Sequence, residues 1–202
     1  MRVRAPLPLG LPLLLGLTSL ALLLLSLPAD AAPLWLEPSD VFVSRYSVGD
    51  PAVAMNGAGE AVIAWTDRRG LRVAMKGATG SSWSKSRRLP EGLRPQVAID
   101  GKGDAVAVWE HWEGEALLLQ SSFRPAGGQW QAPTVLSGDV GEGQGRWDLA
   151  MNGRGDAALA WTQRQAKPFA GGLLDFDVAF ARVMPAAGAT WDRQHSSPPE
   201  GR

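Results

Sequence analysis

The chain of 202 residues has no cysteine. That excludes a disulfide framework, a thiolate metal site, a cysteine nucleophile and a lipid-modified N-terminal cysteine. It has no excess of either charge, since 20 Lys and Arg balance 20 Asp and Glu. The broad basic field of a nucleic-acid binder is therefore missing, and no nucleic-acid partner is expected. The two histidines, His111 and His195, stand apart and offer no metal-ligand spacing. No nucleophile elbow, phosphate loop or dinucleotide fingerprint occurs, so neither a metal nor a cofactor is expected. What abounds is punctuation: 24 glycines and 15 prolines are too many for a helical bundle, while 45% hydrophobic residues are too many for a disordered chain.

Residues 1–31 have the three parts of a secretory signal peptide. Arg2 and Arg4 make a positive start, Leu7 to Leu27 is an almost unbroken apolar run, and Ala29-Asp30-Ala31 is a small-x-small site. The run is long enough to be an uncleaved membrane anchor. Pro8 and Pro12 interrupt it, however, and the small-residue site follows at once. Cleavage after Ala31 or Ala32 is expected, giving a secreted or periplasmic protein with no stable membrane insertion afterwards.

The rest of the chain repeats. Val53 to Trp65, Val97 to Trp109 and Leu149 to Trp161 share the order apolar run, Asn/Asp-Gly-x-Gly, acid, apolar run, Trp. Each copy leads to a strand-like run and then to Gly-x-x-Trp, at Gly80 to Trp83, Gly127 to Trp130 and Gly188 to Trp191. Asn/Asp-Gly-x-Gly between apolar runs supplies the positive φ angles of a tight hairpin. The second strand of each copy is apolar on both of its faces. In the middle copy Ala105, Ala107 and Trp109 face one way and Val106 and Val108 the other. A half-exposed strand would alternate apolar with polar residues, so each second strand is expected to be covered on both sides. Three units of four antiparallel strands with a period of about 44 to 52 residues describe β-propeller blades. A three-fold β-prism and a β-sandwich are the alternatives. The expected layout is a leading outer strand at 32–48, blades at 49–92, 93–140 and 141–197, and a tail at 198–202.

The Gly-x-[Ser/Thr]-Trp turns at Gly80-Ser81-Ser82-Trp83 and Gly188-Ala189-Thr190-Trp191 resemble the Asp-box (BNR, sialidase-type) propeller repeats of bacterial secreted proteins. The resemblance spans about residues 35–197 and implies the propeller. Gly127-Gly128-Gln129-Trp130 departs at one position, and the acid that gives the Asp box its name is replaced by Ala78, Pro125 and Ala186. Enzymes of that family use an arginine triad, a Tyr nucleophile paired with Glu and an acidic proton donor. No motif places these on this chain, so an enzyme is not expected.

Three blades are fewer than the roughly four to eight of a usual ring. If each end blade left about 500 Å² of apolar face in water, about 12 kcal/mol would be forgone, as much as a domain's whole stability. A homodimer completing a six-bladed ring, a longer parent protein, or a compact closure with Trp35 to Ser44 as a clasp would each relieve this. Loop lengths vary only on the edge carrying the joins between second and third strands, with a long loop at Thr162 to Asp177, and the joins between blades. Binding residues are expected there, while Arg68, Arg69, Arg87, Arg88 and Glu91 read as a solvated rim. Two tryptophans outside the repeat, Trp112 and Trp147, fall on that edge, with His111 and Glu113 beside Trp112. Trp147 takes the place of Pro51 and Pro95, and Asp50, Arg94 and Arg146 are equivalent positions just before them. Exposed Trp with neighbouring Arg and Glu suits a sugar ring or a gripped peptide, so the expected ligand is carbohydrate or protein. The structural alternative has Trp147 plugging an axis and Trp112 capping a blade. A sialidase-like glycosidase remnant and a purely structural assembly unit are the competing functions.

Overall fold

The computed structural model describes residues 38–141, 146–169, 172–186, 190–192 and 195–196. The chain is all-β, and its described residues contain no helix, hence none long and apolar enough to cross a membrane. The signal segment, Trp35, Gly188 and the 198–202 tail lie outside the described residues.

Three four-stranded antiparallel sheets follow one another along the chain. The first holds β1 (Val48–Met55), β2 (Ala61–Asp67), β3 (Gly70–Lys76) and β4 (Arg87–Arg88). The second holds β5 (Leu93–Ile99), β6 (Ala105–Glu113), β7 (Ala116–Arg124) and β8 (Thr134–Val135). The third holds β9 (Trp147–Met151), β10 (Ala157–Phe169), β11 (Gly172–Met184) and β12 (His195–Ser196). Strands pair in chain order within each sheet.

The first turn of each sheet is built by the same bonds. The side-chain oxygen of Asn56 accepts from the amides of Ala58 and Glu60, both at 3.0 Å. Asp100 accepts likewise from Lys102 and Asp104, and Asn152 from Arg154 and Asp156. A short side-chain acceptor at that position replaces a backbone turn. Gly59, Gly103 and Gly155 then adopt φ of 82°, 91° and 99°, where any Cβ is strained.

The sheets stack face to face. Ala105, Ala107 and Trp109 of β6 pack with Val62, Ala64, Leu71 and Val73 of the first sheet. Val106 and Val108, on the opposite face, pack with Ala157, Leu159, Trp161 and Phe180 of the third. All five residues Ala105 to Trp109 are fully buried, so the middle sheet is covered on both sides. Strand β5 lies close to β1 and β2, and β5 also lies close to β9. Gln96 ties two sheets directly: its amide nitrogen donates to the Trp147 carbonyl and its oxygen accepts from the Leu149 amide.

Three expectations are corrected. Ala158 and Ala160 of β10 are exposed, because no sheet lies beyond the third among the described residues. The expected loop Thr162 to Asp177 is instead a continuation of the β10–β11 hairpin, paired through Phe169 and Gly172. The described part of the leading segment, residues 38–47, forms no strand. Phe42 lies against Trp65, with ring centroids 5.5 Å apart, and so covers one end of the first sheet's outer face.

Candidate functional site

Antiparallel pairing puts the β2–β3 and β6–β7 turns on one edge of the sheets, together with the β4–β5 link. Two clefts open there. The first has a volume of about 210 Å³ and is lined by Gly70, Glu91, Gly92, Leu93, Glu110, His111 and Trp112. Trp112, at the end of β6, is 40% exposed, a large indole surface left to solvent. His111 lines the same cleft, its Nδ1 2.9 Å from the Glu91 carbonyl oxygen. A carbonyl only accepts, so Nδ1 carries the proton in this contact. Gly92 must be glycine: a Cβ there would sit 2.0 Å from the Trp109 ring. The buried Nε1 of that ring has no hydrogen-bond partner among the described residues.

The second cleft, of about 240 Å³, is lined by Phe42 to Tyr46, Asp67, Arg68, Arg69 and Arg72. Arg45 and Arg68 both sit over the Tyr46 ring, at 5.4 and 5.3 Å from its centroid, and Arg72 lies 4.7 Å from that of Phe42. Four arginines and a single acid thus line this cleft. Burial pushes the Asp67 carboxyl up, but hydrogen bonds from Arg72 and the Arg69 amide, with the charges of Arg72 and Arg88, outweigh it and hold the pKa below the usual carboxylate range. Asp67 therefore stays ionised, paired with Arg72. Arg69, which lines the second cleft, and Gly70, which lines the first, are consecutive in the β2–β3 turn. The sequence reading treated Arg68 and Arg69 as a solvated rim. It missed the cleft because Tyr46 and Arg45 reach it from outside the repeat.

Beside the first cleft the structure builds an internal ion pair. Arg94 forks onto Glu110: its Nε donates to Oε2 at 2.8 Å and its Nη2 lies 2.5 Å from Oε1. Trp147 Nε1 donates to the same carboxylate at 3.1 Å. The Glu110 side chain is 1% exposed, whereas that of Arg94 is half in water. The β1 and β5 registers slip at Asp50 and Arg94, which adopt φ of 47° and 45°. Bulges of this kind at a sheet rim re-aim a side chain, and the left-handed backbone of Arg94 is held by its fork.

The structure thus brings Arg94 and Trp147 together on Glu110, and His111 and Trp112 together in the cleft. Asp50 accepts instead from the Thr66 hydroxyl, at 3.2 Å. The Arg146 amide donates to the Thr162 hydroxyl, and its side chain is exposed, as is that of Glu113. Asp50, Glu113 and Arg146 share no hydrogen bond or ion pair with the other candidates. Glu110 went unrecognised in the sequence, although its parity shows it: it continues the Val106 and Val108 face with an acid. No group of three or more His, Asp or Glu among the described residues is placed to hold a metal ion. No protein-family model matches this sequence, and no curated protein matches it.

Proposed function

We propose that this protein is an exported, non-enzymatic binding module of β-propeller type whose variable-loop edge holds an acidic carbohydrate. The propeller reading is supported by the covered middle sheet and by first strands that lie close together. The observation that carries the ligand reading is the half-exposed Trp112 lining one cleft at the β2–β3 turn, with four arginines lining a second cleft at the same turn. An indole face stacks on a sugar ring, and guanidinium forks recognise carboxylate or sulfate. The Arg94 fork counts against a glycosidase: the arginine expected to grip a substrate carboxylate is engaged by the chain's own Glu110.

Titration of the purified protein with uronate-containing and sulfated oligosaccharides tests the ligand. Trp112→Ala is expected to weaken binding about thirtyfold, the effect of removing a roughly 2 kcal/mol aromatic anchor. Raised salt should weaken it further through the arginines. Binding unchanged by Trp112→Ala, capture of peptides but no saccharide, or hydrolysis of a chromogenic sialoside would each defeat the reading.

A further inference from the structure

The two joints between neighbouring sheets use equivalent positions, yet they differ at one corner. Strand registers pair Arg124 with Ala105 and Met184 with Ala157, so Arg124 and Met184 are equivalent. By the same pairing Met75 matches Phe123, and Ile99 matches Met151. Between the second and third sheets this corner is apolar and closed. Met184 is 1% exposed, in a core against which Phe123 and Met151 pack. Between the first and second sheets Arg124 stands where Met184 would, and a cleft of about 440 Å³ opens. Glu60, Met75, Lys76, Ile99, Gly103 and Arg124 line it, with the Ser82 to Ser84 segment. Its volume falls in the range of about 300–1,000 Å³ of small-molecule sites. It lies at the Asn56 and Asp100 turns, on the edge opposite to Trp112.

This cleft holds an acid and a cation that do not pair with each other. Glu60 is the counterpart of Asp104 and Asp156. Those two accept from amides of their own sheets, Ala126 at 2.6 Å and Ala186 at 3.2 Å. Glu60, one methylene longer, reaches across to the second sheet instead. A Cβ on Gly103 would lie 2.7 Å from its Oε2. That oxygen accepts from Asn56 Nδ2 at 2.9 Å, and Oε1 has no partner among the described residues. The Arg124 side chain makes no ion pair or hydrogen bond among the described residues. Lys76 is already engaged, its Nζ donating to the Gly59 and Gly77 carbonyls at 3.3 and 3.2 Å. We infer that this cleft binds an α-amino acid with an apolar side chain. Its ammonium group meets Glu60, its carboxylate meets the Arg124 guanidinium, and its side chain packs against Met75 and Ile99. A guanidinium fork holds a carboxylate in two parallel bonds. A simple anion or a neutral sugar would leave one of the two charges in the cleft unmatched. The inference is independent of the ligand proposed for the Trp112 edge.

Isothermal titration of the purified protein with leucine and with phenylalanine tests this. At least one of them is expected to bind, one to one. For the amino acid that binds, its amide lacks the carboxylate and its deaminated acid lacks the ammonium group. Each should bind more than about tenfold more weakly, as the loss of a charge-assisted contact requires. Arg124→Met puts at this corner the residue type the third sheet has there, and should abolish binding with the β-sheet circular dichroism retained. Glu60→Gln should weaken binding more than about tenfold. Where Arg124→Met loses the β-sheet signal, Arg124→Gln replaces it. No binding of either amino acid at millimolar concentration overturns the inference. Equal binding of the amide or of the deaminated acid, or binding undiminished by the Arg124 or the Glu60 substitution, overturns it too.

Discussion

Replacing Arg94 with alanine is expected to cost about 3 kcal/mol of folding stability, read as a lower urea midpoint at fixed protein concentration. The substitution strands the Glu110 carboxylate, 1% exposed, with only the Trp147 indole donor left to it. Removing one partner of a buried pair costs about 3–5 kcal/mol because the other charge stays buried. The lower end applies here because the Arg94 side chain lies half in water, where its attraction is already screened. The reverse change should be milder. Glu110→Gln keeps an oxygen for both Arg94 and Trp147, and the freed guanidinium can turn to solvent. A loss of about 1–2 kcal/mol follows from exchanging a charged hydrogen bond for a neutral one. The double variant should be less unstable than the sum of the two. Equal and additive losses would mean that the fork does not form.

The second large effect concerns neighbouring residues on opposite faces of β6. Val108→Asp and Ala107→Asp are each expected to cost more than about 4 kcal/mol and to leave little folded protein. Each would bury a carboxylate without a partner, Val108 against the third sheet and Ala107 against the first. In a sheet with one face to water, one of the two would be a surface change worth less than about 0.5 kcal/mol. A large penalty at both positions is the signature of a sheet between two others.

Those faces were legible in the sequence because a strand covered on both sides needs apolar residues at every position, and Ala105 to Trp109 supplies them. The Asn56, Asp100 and Asn152 turns were legible because few residues combine a short acceptor with a glycine at positive φ. Other features left weaker marks. Ala158 and Ala160 have the composition of a covered face, yet composition records a position in the repeat and not whether a neighbour is present. The β10–β11 hairpin beyond Trp161 has no β9 partner, since β9 pairs only as far as Trp161. A two-stranded ribbon in water needs no apolar alternation, so Thr162 to Asp177 read as a loop.

The candidate site was legible in outline only. Trp112 stood out because the repeat does not explain it. Trp147 stood out for the same reason, but its Nε1 is turned inward to Glu110, and the indole also packs at the border of the third sheet's core. Arg94 was expected to face a ligand and is held by Glu110, because a buried acid on the neighbouring strand claims the nearest guanidinium. The arginine cleft was not legible, since it joins a turn of the repeat to Arg45 and Tyr46 outside it.

The absence of cysteine makes the stacking of the sheets directly measurable. Single Ala107→Cys, Val108→Cys and Val135→Cys variants would be labelled with a thiol reagent in native buffer and again in denaturant. The account predicts that the thiols at 107 and 108 are both protected until the protein unfolds, while that at 135, on the exposed β8 edge, reacts at once. A native protein in which one of the two adjacent thiols reacts as fast as the thiol at 135 would contradict it.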